Sequence, residues 1–140
     1  MTPSPPNDLV AAGLAALPEP LRRDLPQRWQ RLVEAAPEAV RVFAADAALA
    51  ASAPAVWAAS EFVSEQALKD GDALRALAAT VGRPWTPGGL LATAPMLLAD
   101  AAEEAAAMAR LRSFRRREML RIAWRDLAGW AVLEETLGHL

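Results

Sequence analysis

The stretch Arg110-Leu-Arg-Ser-Phe-Arg-Arg-Arg-Glu-Met-Leu-Arg-Ile-Ala-Trp-Arg-Asp-Leu-Ala-Gly129 decides the fold. The segment around it, from Ala99 to Leu140, holds half of the chain's arginines, two of its five tryptophans and no proline. Upstream of this segment, proline or glycine interrupts the sequence at short intervals. Only this segment can therefore form a long unbroken helix, and we expect that Arg-rich helix to be the spine of the protein.

The composition favours helices over strands. Hydrophobic residues make up 54% of the 140 residues, which is enough for the core of one domain. Alanine is abundant and β-branched residues are few, so good helix formers outnumber good strand formers. We predict an all-α fold in which short N-terminal helices pack on the long Arg-rich helix, followed by the start of a further helix.

Charge and residue types exclude several classes of function. The net charge of −2 gives no overall attraction to nucleic acid or to an anionic membrane. The chain has no cysteine and a single histidine, which excludes disulfides, thiolate metal sites and a histidine zinc cluster. The first residues lack the basic start of a secretory signal, and the uncharged runs are short and interrupted by proline. We expect a soluble cytoplasmic protein with no membrane partner.

Four segments follow from the positions of proline and glycine. Residues 1–8 are predicted to be a disordered Pro-rich leader, and residues 9–82 a region of short helices. Residues 83–94 form a predicted Pro/Gly loop. Residues 95–140 are predicted to be the long helix and a following helix.

Within these segments, single residues predict where helices begin and end. One helix should end at Ser52 and the next should open at Pro54, since proline is favoured in a first helical turn. Asp72 is the predicted N-cap of the helix that follows it, and Gly129 should end the long helix.

Seven arginines cluster on the predicted long helix. Successive helical positions are about 100° apart, so the cluster cannot form one basic stripe. Glu118 and Asp126 lie among the arginines, and Glu118 can pair with Arg121 at i, i+3. This mixture favours a solvated helix that contacts another domain, and it disfavours nucleic acid as a partner. The cluster consists of Arg110, Arg112, Arg115, Arg116, Arg117, Arg121 and Arg125.

The acidic residues do not assemble a metal site. Asp70 and Asp72 have the D-x-D spacing of some magnesium sites, but they lie in a predicted turn without a preceding strand. A turn with a helix cap is the favoured interpretation. The adjacent pairs Glu103-Glu104 and Glu134-Glu135 project about 100° apart on a helix and are read as surface charges. We therefore expect no catalytic, cofactor-binding or metal-binding residue.

The histidine and the tryptophans also have structural explanations. His139 has only Glu135 at a helical neighbour spacing, which gives no proton-transfer site. Large tryptophans among alanines are typical of packed helices, so all except the loop residue Trp85 are assigned to the core. The core set is Trp29, Trp57, Trp124 and Trp130.

Two stretches resemble the family of bacterial bifunctional glutamine synthetase adenylyltransferase/adenylyl-removing enzymes. Leu111 to Gly129, followed by Leu133-Glu-Glu-Thr-Leu137, is similar to the family's arginine-rich helix and its "LEETL" continuation. Trp57-Ala-Ala-Ser-Glu-Phe-Val63, with the residues up to Leu77, is similar to the family's "SDFV" segment, with Glu61 at the commoner Asp position. The resemblance covers roughly residues 20–140 and implies the N-terminal helical part of the first catalytic half.

The resemblance implies transfer of AMP from ATP to a tyrosine of glutamine synthetase, and phosphorolytic removal of that AMP. Control by the PII signalling protein and glutamine is implied, as are Mg and ATP for the complete enzyme. The nucleotidyltransferase motifs of the family are absent from the 140 residues, so we expect an inactive fragment that ends before them and serves as scaffold. The implied contacts to that domain are Arg115, Arg116, Arg117, Arg121, Trp124 and Arg125.

A second hypothesis is a free-standing helical interaction module. In this case the Arg-rich helix would bind an acidic protein or RNA, and RNA binding would weaken steeply with added salt.

Overall fold

A computed structural model of the chain describes residues 10, 13–84 and 89–139. Within these ranges every regular element is a helix and no strand occurs, which confirms the all-α prediction. The chain divides into two compact units, Met1–Thr80 and Val81–Leu140. The predicted leader, residues 1–8, and Trp85 lie outside the described residues.

The first unit consists of short helices joined by tight connections. Most are separated by only one or two residues, as expected for antiparallel neighbours in a helical domain. Their bounds are α1 Glu19–Arg22, α2 Leu25–Ala35, α3 Pro37–Ala44, α4 Ala47–Ala59, α5 Glu61–Lys69 and α6 Gly71–Thr80.

Three aromatic rings from successive helices form the centre of this unit. Trp29 on α2 lies 6.3 Å from Phe43 on α3 and 5.5 Å from Trp57 on α4, measured between ring centroids. Trp29 and Trp57 meet edge to face, at 86°, which is a favoured aromatic geometry. All three side chains are buried, so the core assignment of Trp29 and Trp57 is confirmed.

The helix α4 differs from its prediction. It runs from Ala47 to Ala59 through Pro54, so the predicted end at Ser52 and the new start at Pro54 are wrong. Side-chain caps set the true bounds: Asp46 accepts a backbone N–H of α4 at 3.0 Å, and Ser60 accepts one of α5 at 3.2 Å. Proline inside a helix costs about 3 kcal/mol, but burial of this stretch, including Pro54 itself, offsets that cost.

The cap of α6 also differs from its prediction. Asp70, and not Asp72, accepts the N–H of Ala73 at 3.2 Å. Asp72 lies in the first turn, where its exposed carboxylate is 3.9 Å from Arg75. Both residues of the D-x-D pair therefore lie at the start of a helix, as the cap interpretation predicted, but the capping residue is Asp70 and not Asp72.

The second unit contains the Arg-rich helix. Its helices are α7 Gly89–Leu98, α8 Glu104–Leu127 and α9 Leu133–His139. The predicted Pro/Gly loop over 83–94 is too long, because α7 begins at Gly89 and includes Pro95. The predicted long helix starts too early, since five non-helical residues separate Leu98 from Glu104.

An arginine of α8 contacts the end of α7, beside this break. α7 and α8 contact each other, and Arg110 of α8 donates from Nη1 to the carbonyl oxygen of Leu97 at 3.1 Å. This places a cation at the C-terminal end of α7, where carbonyl groups lack helical partners and the helix dipole is negative. The chain reversal is therefore stabilised by a residue far from it in sequence.

No single helix among the described residues is long and apolar enough to cross a bilayer. The pair Pro37–Ala44 and Ala47–Ala59 reaches the required length and composition only when its two helices are taken together, and these are bent by 118°. Buried core helices of a soluble protein have the same composition, so the pair is weak evidence for a span.

Candidate functional site

Arg125 is the centre of the polar contacts at the end of α8. Its Nε and Nη2 donate to the two carboxylate oxygens of Glu135 at 2.7 and 3.2 Å, a bidentate pair. Its Nη1 donates to the carbonyl of Val81 at 2.8 Å, and Nη2 also donates to that of Trp130 at 3.4 Å. The side chain of Arg125 is 7% exposed and that of Glu135 is 12% exposed. This is a buried ion pair with additional hydrogen bonds.

A second pair lies beside the first. Thr136 Oγ1 donates to Asp126 Oδ1 at 3.0 Å, so the neighbours Arg125-Asp126 meet the neighbours Glu135-Thr136. The backbone between them turns at Gly129, whose φ of +74° is in the left-handed region. The amides of Trp130 and Ala131 both donate to the carbonyl of Arg125. We name this arrangement of α8, the turn and α9 the elbow.

The elbow explains why the two parts of the longer motif belong together. Trp124-Arg-Asp126 lies at the end of α8, and Leu133-Glu-Glu-Thr136 lies at the start of α9. The hydrogen bonds Arg125–Glu135 and Thr136–Asp126 join these two segments, which are ten residues apart in sequence. The prediction that Gly129 ends the long helix is confirmed. The interpretation of Glu135 as a surface charge is wrong, because it pairs with Arg125, whereas Glu134 is exposed.

Arg121 makes a second anchoring contact, one turn before Arg125. Its Nη1 donates to the carbonyl of Arg83 at 2.7 Å, and its Nη2 lies 3.2 Å from Glu118 Oε2. The predicted Glu118–Arg121 pair is thus confirmed. Arg121 and Arg125 together hold the chain at residues 81–83 against α8. Trp124, between them in sequence, is wholly buried.

Arg110 of α8 contacts Leu97, whereas the other four arginines of this helix have a different environment. All four are exposed, and none of them makes an ion pair or side-chain hydrogen bond within the part of the chain that the structure describes. Their contact with another domain stays a prediction. These residues are Arg112, Arg115, Arg116 and Arg117.

The second motif stretch surrounds a partly buried contact of Arg28. Arg28 Nη2 donates to the carbonyls of Trp57 and Ser60 at 2.9 and 3.3 Å, and also to Ser64 Oγ. The cation therefore lies at the C-terminal end of α4, where the dipole favours it. Ser60 caps α5 at the same point, so Ser60-Glu-Phe62 lies at a helix junction.

The described residues contain no group of three His, Cys, Asp or Glu side chains that could hold a metal ion. Glu103 and Glu104 are exposed at the start of α8, and His139 is the last residue of α9. The buried arginines are paired, so their charge is used to hold helices. The contacts of the elbow can fix the direction in which α9 leaves α8. The exposed arginines of α8 present basic side chains at the surface.

The elbow contacts show what sequence reasoning missed. Glu118 lies within one helical turn of Arg121, so spacing alone identified that pair. Glu135 is ten residues from Arg125, and only the left-handed turn at Gly129 brings them together. The available signal was the presence of complementary Arg-Asp and Glu-Thr pairs on either side of a glycine.

Comparison with known proteins identifies a family and several relatives that the chain resembles. Residues 50–140 match the family model described as glutamate-ammonia ligase adenylyltransferase. The bifunctional glutamine synthetase adenylyltransferase/adenylyl-removing enzymes of Thioalkalivibrio sulfidiphilus and Pseudomonas aeruginosa are each 45% identical over 87 residues, 61% of this chain. The enzyme of the same name from Shewanella loihica is 30% identical over 122 residues, 87% of this chain.

These relatives are much longer proteins. The chain spans 9% of the first two and 13% of the third. No solved structure matches it. The family model covers well over half of the chain and includes the whole elbow. The chain therefore belongs to the glutamate-ammonia ligase adenylyltransferase family.

Proposed function

We propose that the chain is the N-terminal helical part of an enzyme that adenylylates and deadenylylates glutamine synthetase. The reactions are AMP transfer from ATP to a tyrosine and phosphorolytic removal of that AMP. The observation that carries the proposal is the family match over residues 50–140, with 45% identity to bifunctional enzymes of this name. The location in the cell is the cytoplasm, where ATP and glutamine synthetase meet.

In this proposal the segment itself is scaffold. The nucleotide and Mg bind elsewhere in the complete enzyme, because the described residues lack a metal-binding group. Metal ions neutralise charge on the phosphates in such transfers, and this segment supplies no residue for that step. The PII signalling protein and glutamine regulate the complete enzyme, and the 140 residues alone transfer no AMP.

The elbow supports a role in orientation. Arg121 and Arg125 fix the end of α8, and the paired α9 leaves it in one direction. Contacts to the catalytic domain are assigned to the predicted set. That set is Arg115, Arg116, Arg117, Arg121, Trp124 and Arg125.

A segment exchange tests the proposal. Residues 50–140 replace the matching segment of the Pseudomonas aeruginosa enzyme, and AMP transfer from radiolabelled ATP to glutamine synthetase is measured in both directions, with and without PII. We expect the hybrid to retain both activities and its response to PII. The isolated 140-residue chain is the negative control.

A matched pair of variants tests whether the buried ion pair of the elbow contributes to activity. Arg125→Met in the hybrid should reduce both activities, whereas Glu134→Gln, on the exposed side of the same elbow, should leave them unchanged. A hybrid that folds, as judged by circular dichroism and cooperative unfolding, yet transfers no AMP in either direction would contradict the proposal.

A further inference from the structure

We infer that one exposed side of α8, formed by Arg112, Arg115 and Arg116 and named here the basic face, docks an acidic surface of the enzyme outside this segment. The inference rests on the proposed function and specifies a contact within it. It keeps Arg115 and Arg116 of the predicted contact set and adds Arg112. Arg121 and Arg125 are left out because they already have partners in their own unit.

Helix geometry gathers the three arginines on one side. They occupy positions i, i+3 and i+4, which are neighbours on a helix surface about 5–6 Å apart at Cβ. All three are exposed. Arg117 projects about 140° away from Arg112 and is not part of this face. The seven arginines of the cluster thus do not share one stripe, but three of them do share a face.

The three neighbouring arginines of the basic face have no counter-charge in contact with them within the described ranges. Arg41, Arg75, Arg121 and Arg125 each contact a carboxylate, and Arg110 donates to a carbonyl. The three arginines of the basic face make no such contact within the described ranges. Like charges at helical neighbour spacing repel each other, so an acidic partner would remove an unfavourable interaction.

The surroundings favour a protein over a nucleic acid as the partner. Met108, one turn before Arg112, is 45% exposed on the same side, and Glu104 is exposed one turn before that. Methionine and arginine are enriched in protein interfaces, and the arginine fork suits bidentate contact with carboxylates.

The length of the relatives indicates that another part of the same enzyme covers the basic face. The matching segment is 9% of the Pseudomonas aeruginosa enzyme, so about 91% of that chain is available to cover this face. The present chain has a net charge of −2, whereas the basic face carries three unopposed positive charges. A complementary acidic surface on the remainder of the enzyme would fix the orientation of the segment.

Arginine labelling tests the contact without relying on activity. The isolated chain and the segment-exchange hybrid are treated with phenylglyoxal, which modifies accessible guanidinium groups, and labelled positions are read by mass spectrometry. We expect Arg112, Arg115 and Arg116 to be labelled in the isolated chain and to lose labelling in the hybrid. Full labelling of all three in a folded hybrid would overturn the inference, while AMP transfer by the same hybrid would leave the proposed function intact.

Charge variants test the acidic character of the occupant. The hybrid with all three arginines changed to Glu should lose more AMP transfer than the hybrid with all three changed to Gln, since only Glu would be repelled. Arg75→Gln, an exposed arginine of the first unit, is the activity control. Equal activity of the Glu and Gln variants, or salt-sensitive binding of an RNA oligonucleotide by the isolated chain, would overturn the inference. Unchanged thermal unfolding of the isolated variants would exclude misfolding.

Discussion

The two halves of α8 use the same residue type in opposite ways. In the half that ends at Leu127, Arg121 and Arg125 are buried and hydrogen-bonded. In the other part, which we take as Glu104 to Arg117, four arginines are exposed and make no ion pair or side-chain hydrogen bond in the described chain: Arg112, Arg115, Arg116 and Arg117. Both halves are rich in arginine, so composition alone does not distinguish them. The difference teaches that the role of an arginine depends on which chain segments return to its side of the helix.

The largest expected effect comes from Arg125→Met. Breaking a buried ion pair leaves Glu135 uncompensated, so the free energy of unfolding should fall by about 3–5 kcal/mol. The carbonyls of Val81 and Trp130 also lose a donor. Urea unfolding followed by circular dichroism measures the loss. A decrease of less than about 1 kcal/mol, typical of an exposed pair, would erase the contrast between the two halves.

Two further variants are controls for the loss of stability expected of Arg125→Met. Arg117→Met, on the same helix but exposed, should change the free energy of unfolding by no more than about 0.5 kcal/mol. The double variant Arg125→Met/Glu135→Met should recover most of the loss, because no unpaired charge remains buried. A double variant as unstable as Arg125→Met would show that Arg125 acts mainly through the backbone carbonyls.

The turn of the elbow is tested by Gly129→Ala. A Cβ at Gly129 meets no atom within 4 Å, so only its φ of +74° opposes the change. The expected loss is about 1–2 kcal/mol, the cost of a left-handed backbone for an L-residue. Gly82→Ala is the matched control: it also has open space but no positive φ, so its stability should stay the same or rise by about 0.4–1 kcal/mol. Equal losses at both glycines would contradict the role of φ.

The elbow also shows which features were predictable from sequence. The all-α fold follows from composition, and the Glu118–Arg121 pair follows from spacing within one turn. The break between Leu98 and Glu104 has no proline or glycine to mark it in the sequence, and Arg110 contacts Leu97 beside it only after the chain has turned back. Contacts that need a chain reversal could not be derived from helical periodicity, and this limit applies equally to the Arg125–Glu135 pair.

A smaller effect is expected from Thr136→Val, which removes the hydroxyl that donates to Asp126. This contact is exposed, so water can replace it at the carboxylate, and the free energy of unfolding should fall by about 0.5–1 kcal/mol. Hydrogen exchange of the α9 amides should detect the same weakening locally. Thr136→Ser keeps the hydroxyl and should retain the protection. Loss of protection in the serine variant as well would mean that the threonine methyl group, and not the hydrogen bond, holds α9.

The smallest expected effect has the opposite sign. Arg116→Gln should raise the free energy of unfolding by about 0.2–0.5 kcal/mol, because Arg112 and Arg116 are like charges at i, i+4. Glutamine and arginine have similar helix propensities, so charge is the main change. At 1 M salt the Debye length falls to about 3 Å and the gain should disappear. A salt-independent loss of stability would instead mean that Arg116 has a partner within the chain, and the two halves of α8 would no longer differ. A small gain that salt abolishes would show that Arg125 stabilises the fold while Arg116 is kept at a cost to it, which is expected of a side chain whose partner lies elsewhere.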